Sequence, residues 1–99
     1  MNCNILIEWL RQKQYLTDLE KDILDTWNEL QKNPLDYNSA KGQIAKNNVK
    51  YPEIFSAIRA IPTNIVRPFD QMSESDFRYS LENQLMALAI KDGWQGSNQ

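Results

Sequence analysis

At 99 residues, with 41% apolar and 24% charged side chains and a formal charge of −2, the chain has the composition of one small folded domain. It does not resemble a disordered acidic chain. It contains no histidine and one cysteine, Cys3, which excludes an internal disulfide and leaves thiolate, imidazole and zinc chemistry without their usual groups.

A single unpaired cysteine suits a reducing compartment, and the N-terminal stretch lacks the basic region and small-residue cleavage pattern of a secretory leader. A cytoplasmic location is expected. No apolar run approaches the 18 residues of a membrane span, so no membrane partner is expected either. A chain of this size buries only about 60 to 65% of its unfolded surface. Its core is therefore thin, and assembly with another chain would enlarge it. If compact, it should have a radius of gyration of about 13 Å.

The first predicted helix covers residues 4–14, with Ile5, Leu6, Trp9 and Leu10 on its apolar side and Arg11, Lys13 and Gln14 toward water. Ile7 lies off that face, where it either closes against another helix or joins a small exposed patch. Thr17 and Glu20 then form a capping box for a second helix over 18–32, in which the threonine oxygen and the glutamate carboxylate satisfy free backbone N–H groups. Leu19, Ile23, Trp27 and Leu30 recur on one side of it, and Asp18, Asp22, Asp25 and Glu29 are placed on the outside. Asn33 and Pro34 stop this helix.

Residues 39–47 form a short third helix with Ala40 and Ile44 inward, weakened by about 1 kcal/mol at Gly42 relative to alanine. Asn47 and Asn48 mark its end. A fourth helix, 52–61, starts at Pro52, whose missing N–H has no partner in a first turn anyway. Its inner side is Ile54, Ala57, Ile58 and Ile61, and Pro62 ends it. Thr63 to Met72 reads as an extended connection pinned by Pro68, with a short strand possible only around Asn64 to Arg67.

The fifth helix, 74–92, has the most consistent signals. Ser73 with Asp76 is a near capping box, Lys91 suits the negative C-terminal end, and Gly93 can take the left-handed conformation that releases the chain. Trp94 should then fold back on Leu88 or Ala89. Phe77, Leu81, Leu85 and Leu88 lie within about 80° of one another and form one core-facing stripe. Tyr79, Met86 and Ile90 make a second apolar strip roughly opposite. A helix with two apolar sides is either enclosed in its own domain or shared with another chain. Together these elements predict an all-α, small orthogonal bundle of about five helices, one domain over residues 1–94, and a disordered tail over 95–99.

Charge is distributed unevenly. Residues 1–36 carry −3, residues 37–67 carry +4 and residues 68–99 carry −3. A basic middle between acidic ends either marks a site for an anionic partner or draws the three parts of one domain together. The segment 39–61 places a helix, a tight turn at Asn47 to Tyr51 and a second helix in sequence, and it resembles the helix-turn-helix of repressor-type DNA-binding domains. The resemblance implies that Glu53, Phe55, Ser56 and Arg59 face outward on a recognition helix, while Gln43, Lys46 and Lys50 reach phosphate or flanking bases. Asn48 stands in the turn where that family commonly has glycine. The alternative for this segment is an ordinary pair of bundle helices.

The acidic positions of the second helix can bind a hard cation or perform acid–base work only if carboxylates converge, and no E-x-x-H pattern accompanies them. No glycine-rich turn precedes Lys46 or Lys50, so no nucleotide loop is expected. The expectation is a non-enzymatic chain with no cofactor, no metal and no small-molecule substrate. Its leading role is that of a protein-binding regulator or inhibitor. In size and surface it looks like the antitoxins, immunity proteins and phage inhibitors of bacteria and their phages. Tyr79, Met86 and Ile90 are its candidate contact residues, with Asp18, Asp22, Asp25 and Glu29 as a second, acidic surface. The partner would be another protein, in a hetero-complex or a homodimer. Helix-turn-helix DNA binding by the basic segment is the alternative.

Overall fold

The computed structural model describes residues 3–59 and 68–94, apart from the side chains of Cys3, Phe55 and Arg59. Five helices follow one another: α1 (Cys3–Arg11), α2 (Asp18–Gln31), α3 (Tyr37–Lys50), α4 (Ile54–Arg59) and α5 (Glu74–Lys91). A single 3-10 turn at Phe69–Gln71 leads into α5, and there is no strand among the described residues. The expected all-α bundle of about five helices is the observed one. The radius of gyration, 12.9 Å, is that of a compact chain of this length.

Local signals account well for α2 and α5. The Thr17 hydroxyl accepts from Glu20 N–H at 3.1 Å, and Glu20 Oε1 accepts from Thr17 N–H at 2.9 Å. Ser73 and Asp76 make the same reciprocal pair, each at 3.2 Å. At the other end of α5, Gly93 takes φ 97°. Its N–H donates to Ile90 O at 3.0 Å and that of Trp94 to Ala89 O at 2.9 Å, the two bonds of a Schellman motif. Trp94 packs on the core cluster that contains Leu88 and Ala89, as the sequence led one to expect.

The C-terminal end of α2 is closed from a distance. Arg78 of α5 donates to Leu30 O at 2.8 Å and to Lys32 O at 2.9 Å, and it pairs with Glu74 at 2.8 Å. The last carbonyls of a helix have no partner within it, so this guanidinium both caps α2 and fixes its position on α5.

Several boundaries and faces differ from the sequence reading. The first helix ends at Arg11, and it is Ile7 that enters the core while Ile5 is 42% exposed. The neighbours of a short terminal helix decide which edge of a broad apolar side is covered. The third helix is not confined to 39–47 but runs from Tyr37 to Lys50, because Asp36 caps it through Ser39 N–H at 3.0 Å and Asn47 is held inside by hydrogen bonds. Gly42 lies on its open side and costs only its intrinsic preference. The fourth helix starts at Ile54, two residues later than predicted, after a turn through Pro52 and Glu53. Ile54 is buried, but Ala57 is exposed. Phe69 to Gln71 turns instead of extending. The predicted end of the fourth helix at Ile61 and Pro62, the possible strand at Asn64 to Arg67 and the tail 95–99 lie outside the described residues.

Two apolar clusters make the core. One gathers Leu6, Ile7 and Leu10 of α1, Ile23 of α2, Ile54 of α4 and Leu85 and Leu88 of α5. The other gathers Leu30, Leu35, Ala40, Ile44, Phe77 and Leu81, with Trp27 touching both clusters. The α5 stripe Phe77, Leu81, Leu85 and Leu88 is buried as expected, and it spans both. Replacing Leu85 by alanine should therefore cost about 2–5 kcal/mol in chemical denaturation, the usual range for a fully buried leucine. Val49→Ala, at a position 83% exposed, should stay within about 0.5 kcal/mol.

Candidate protein-binding surface

Helix α5 packs on α2, α3 and α4, which leaves one side uncovered. Tyr79 is 44% exposed and Ile90 57%, with Met86 half-buried between them. On a helix of 3.6 residues per turn these three lie within about 40° of one another. Tyr79 and Ile90 therefore face solvent at the two ends of the strip, with Met86 half covered between them. Glu82 borders it and is exposed; Asn83, also on its margin, is buried with its Nδ2 lacking a hydrogen-bond partner.

The acidic residues of α2 do not form one surface. Asp18 and Asp25 are exposed, but Asp22 is only 2% exposed and Glu29 is half-buried. Glu29 Oε2 accepts from Ser39 Oγ at 2.6 Å and from Lys32 Nζ at 3.1 Å. Placing Asp22 on the outside of α2 is corrected here: its carboxylate is a buried junction between helices. Oδ2 accepts from Tyr51 Oη at 2.6 Å and from Lys50 Nζ at 2.9 Å, while Oδ1 pairs with Lys46 Nζ at 3.2 Å.

Burial pushes the Asp22 carboxyl up, but the bonds from Lys50, Tyr51 and Lys46 outweigh it and hold the group below the ordinary carboxylate range. The same contacts act in reverse on the partners. Asp22 raises the Lys50 ammonium above its usual value, and burial followed by Asp22 raises the Tyr51 phenol.

Two lysines of the basic middle are thus engaged within the chain. Gln43 is half-buried and donates to Asn47 Oδ1 at 3.1 Å, and Ser56 is exposed. The side chains of Phe55 and Arg59 lie outside the described residues. The predicted turn at Asn47 to Tyr51 is corrected as well: α3 continues through it, and the bend comes at Tyr51 to Glu53. Glu53 itself is exposed and pairs with Lys91 at 2.6 Å.

Behind Asp22 runs a polar layer that the sequence reading missed. Thr26 Oγ1 donates to Asp22 O at 2.8 Å and accepts from Asn47 Nδ2 at 2.9 Å. The second Asn47 amide hydrogen goes to Gln84 Oε1 at 2.9 Å. Gln84 Nε2 then donates to Asn48 Oδ1 at 2.8 Å and to Ile44 O at 3.2 Å. Both amide groups use all their N–H donors. The signal for this layer was a polar residue at core spacing: Thr26 stands three after Ile23, Asn47 three after Ile44 and Gln84 three after Leu81.

Among the described residues no group of three or more histidine, cysteine, aspartate or glutamate side chains could hold a metal ion, and no helix is long and apolar enough to cross a membrane. Comparison with protein families, with curated proteins and with solved structures finds no match to this chain.

Replacing Asp22 by alanine should lower stability by about 2–3 kcal/mol, since Tyr51 loses a buried partner while the two lysines can still reach water. Because the folded Asp22 carboxyl sits below its ordinary value of 3.8, its contribution is complete above that pH and is lost as pH falls through the lower folded value. Denaturation measured from pH 6 down to pH 2 should show a smaller loss of stability in Asp22→Ala than in the parent chain.

Proposed function

We propose that this chain is a small protein-binding regulator, an inhibitor-like adaptor that engages another protein through Tyr79, Met86 and Ile90 of α5. The observation that carries the reading is the position of the strip. The helix on which the rest of the domain packs keeps an aromatic ring, a thioether and a β-branched side chain turned toward water. Tyrosine and methionine suit such a role because they bury much area at modest ordering cost and adapt to a partner's relief. A thin-cored domain gains most from covering such a strip.

Asp18 and Asp25, both exposed on α2 although Asp25 also lies 4.0 Å from Lys46 Nζ, can steer a basic partner by long-range attraction. Asp22 and Glu29 serve inside the chain and take no part in that surface. A protein partner is preferred to duplex nucleic acid because Lys46 and Lys50, on which a duplex-binding role depends, are held on Asp22. Tied to that carboxylate, the two ammoniums are less free to displace counterions from a phosphate backbone.

The test places a photo-crosslinking amino acid at Tyr79, at Ile90 and, as a control, at Val49, in cells that express the protein from its native source. Adducts to one protein from positions 79 and 90 but not from 49 are expected. Tyr79→Asp combined with Ile90→Asp should abolish those adducts while leaving the melting temperature within about 3 °C of the parent, since exposed positions tolerate charge. Adducts formed equally from all three positions, or none from 79 and 90, would sink the reading. Sedimentation equilibrium of the purified chain separates a second copy from a different protein as the occupant.

A further inference from the structure

The charged side chains of α5 are Glu74, Asp76, Arg78, Glu82 and Lys91. All but one of them are engaged within the domain. Glu74 and Arg78 pair at 2.8 Å, and the same guanidinium closes the end of α2 through Leu30 O and Lys32 O. Asp76 takes the Ser73 N–H at 3.2 Å in the capping box, and Lys91 reaches Glu53 at 2.6 Å. The exception is Glu82, which is exposed and whose carboxylate has neither a hydrogen bond nor an ion pair among the described residues. It stands three residues after Tyr79 and four before Met86, so this side of α5 reads Tyr79, Glu82, Met86, Ile90 at helical spacing. A lone negative charge is thus set into an apolar strip about 16 Å long. The nearest cation on the helix, Arg78 one turn before, is already held by its own three acceptors.

We infer, building on the binding role proposed for this strip, that its occupant is an amphipathic helix of a different protein, which covers Tyr79, Met86 and Ile90 with its apolar face and sets an arginine or lysine against Glu82. A helix fits because the strip is narrow and helically spaced, a relief that the ridges and grooves of a second helix match. About three turns of the partner span it. A cation is needed because covering the strip draws Glu82 toward a drier surface, where an unpaired carboxylate is costly. Arginine and lysine also bring aliphatic stems that lie on apolar surface while the charged head reaches the carboxylate. The pair fixes register as well: apolar contacts alone let the partner helix slide by a turn, and one charge near the middle of the strip selects a single position.

The same charge argues against a second copy of this chain as the occupant. Two copies of α5 laid together along their strips bring two Glu82 carboxylates into one seam. Ser75, Tyr79, Glu82, Met86 and Ile90, which share this side of the helix, supply no cation to meet them. Like charges facing one another across an interface are strongly unfavourable.

The test places a photo-crosslinking amino acid at Ile90 or Tyr79 of the full chain in cells of its native source. Mass spectrometry then locates the crosslinked segment of the captured protein, and that protein, once purified, supplies affinities for the parent chain, Glu82→Gln and Glu82→Lys. The expected segment is a helix with an arginine or lysine within one turn of its crosslinked apolar face. Glu82→Gln should weaken binding by about threefold and reduce its salt dependence, and Glu82→Lys should weaken it by about tenfold. Both variants should melt within about 3 °C of the parent, because the position is exposed. Replacing the captured protein's cation by glutamate should restore its binding to Glu82→Lys, the cross-over that a direct charge pair produces and a local disturbance does not. A segment without a cation beside its apolar residues overturns the inference and leaves the binding role standing, as does an affinity that Glu82→Lys leaves unchanged. Adducts that join two copies of this chain overturn it too. The absence of adducts from both Tyr79 and Ile90 removes the binding role itself, and this inference with it.

Discussion

A carboxylate enclosed by a tyrosine and two lysines joins α2 to α3, and much of the remaining structure follows from that junction. Asp22 sits at the head of a line of hydrogen bonds through Thr26, Asn47 and Gln84 that crosses the bundle from α2 through α3 to α5. Thr26, Asn47 and Gln84 each lie between residues of the two apolar clusters, so the line divides the core into two halves at one level. A buried polar group is costly when unpaired and geometrically demanding when paired. Sliding any of these three helices by one turn would orphan several donors at once, whereas leucine packing alone tolerates such shifts more readily. The layer thus sets the register of the helices.

Because α2 and α3 are secured to each other, α5 can be the element on which the others converge. Its stripe from Phe77 to Leu88 spans both clusters, and Arg78 draws the last turn of α2 onto it. The aromatic pairs at one end reinforce the seat: Phe77 is met edge-on by Tyr37 at 5.2 Å and stacked by Phe69 at 5.9 Å. With those sides occupied, the strip of Tyr79, Met86 and Ile90 remains, and among the described residues no further helix is left to lay over it. The proposed binding role follows from this geometric surplus.

Charge patterning has a similar internal explanation. The excess of positive charge in the middle of the chain serves in part to meet negative charge from the N-terminal part: Lys46 and Lys50 meet Asp22. A run of basic residues in a linear chain looks alike whether it awaits phosphate or a carboxylate thirty residues away. Only the fold distinguishes the two, because the distance that decides is through space.

Local interactions were readable from the chain itself. The Thr17 and Ser73 capping boxes, the left-handed Gly93 and the Phe77–Leu88 stripe depend on residues no more than a few turns apart, and helix formation acts over that range. The exposed strip was legible as a candidate for the same reason, since its three residues share one helix. The burial of Asp22, the extension of α3 through Asn47 and the exchange of Ile5 for Ile7 were not legible. Asp22 and Asn47 are decided by partners 21 to 37 residues distant and Ile7 by a core cluster drawn from four helices, and the helical period assigns a side chain to a face without saying what will cover that face. Residue types and spacings along the chain determined five helices, the caps of α2 and α5 and the core-facing stripe of α5. Tertiary packing alone decided which polar groups went inside and which apolar strip stayed out, because a buried hydrogen bond exists only when two distant segments bring donor and acceptor together.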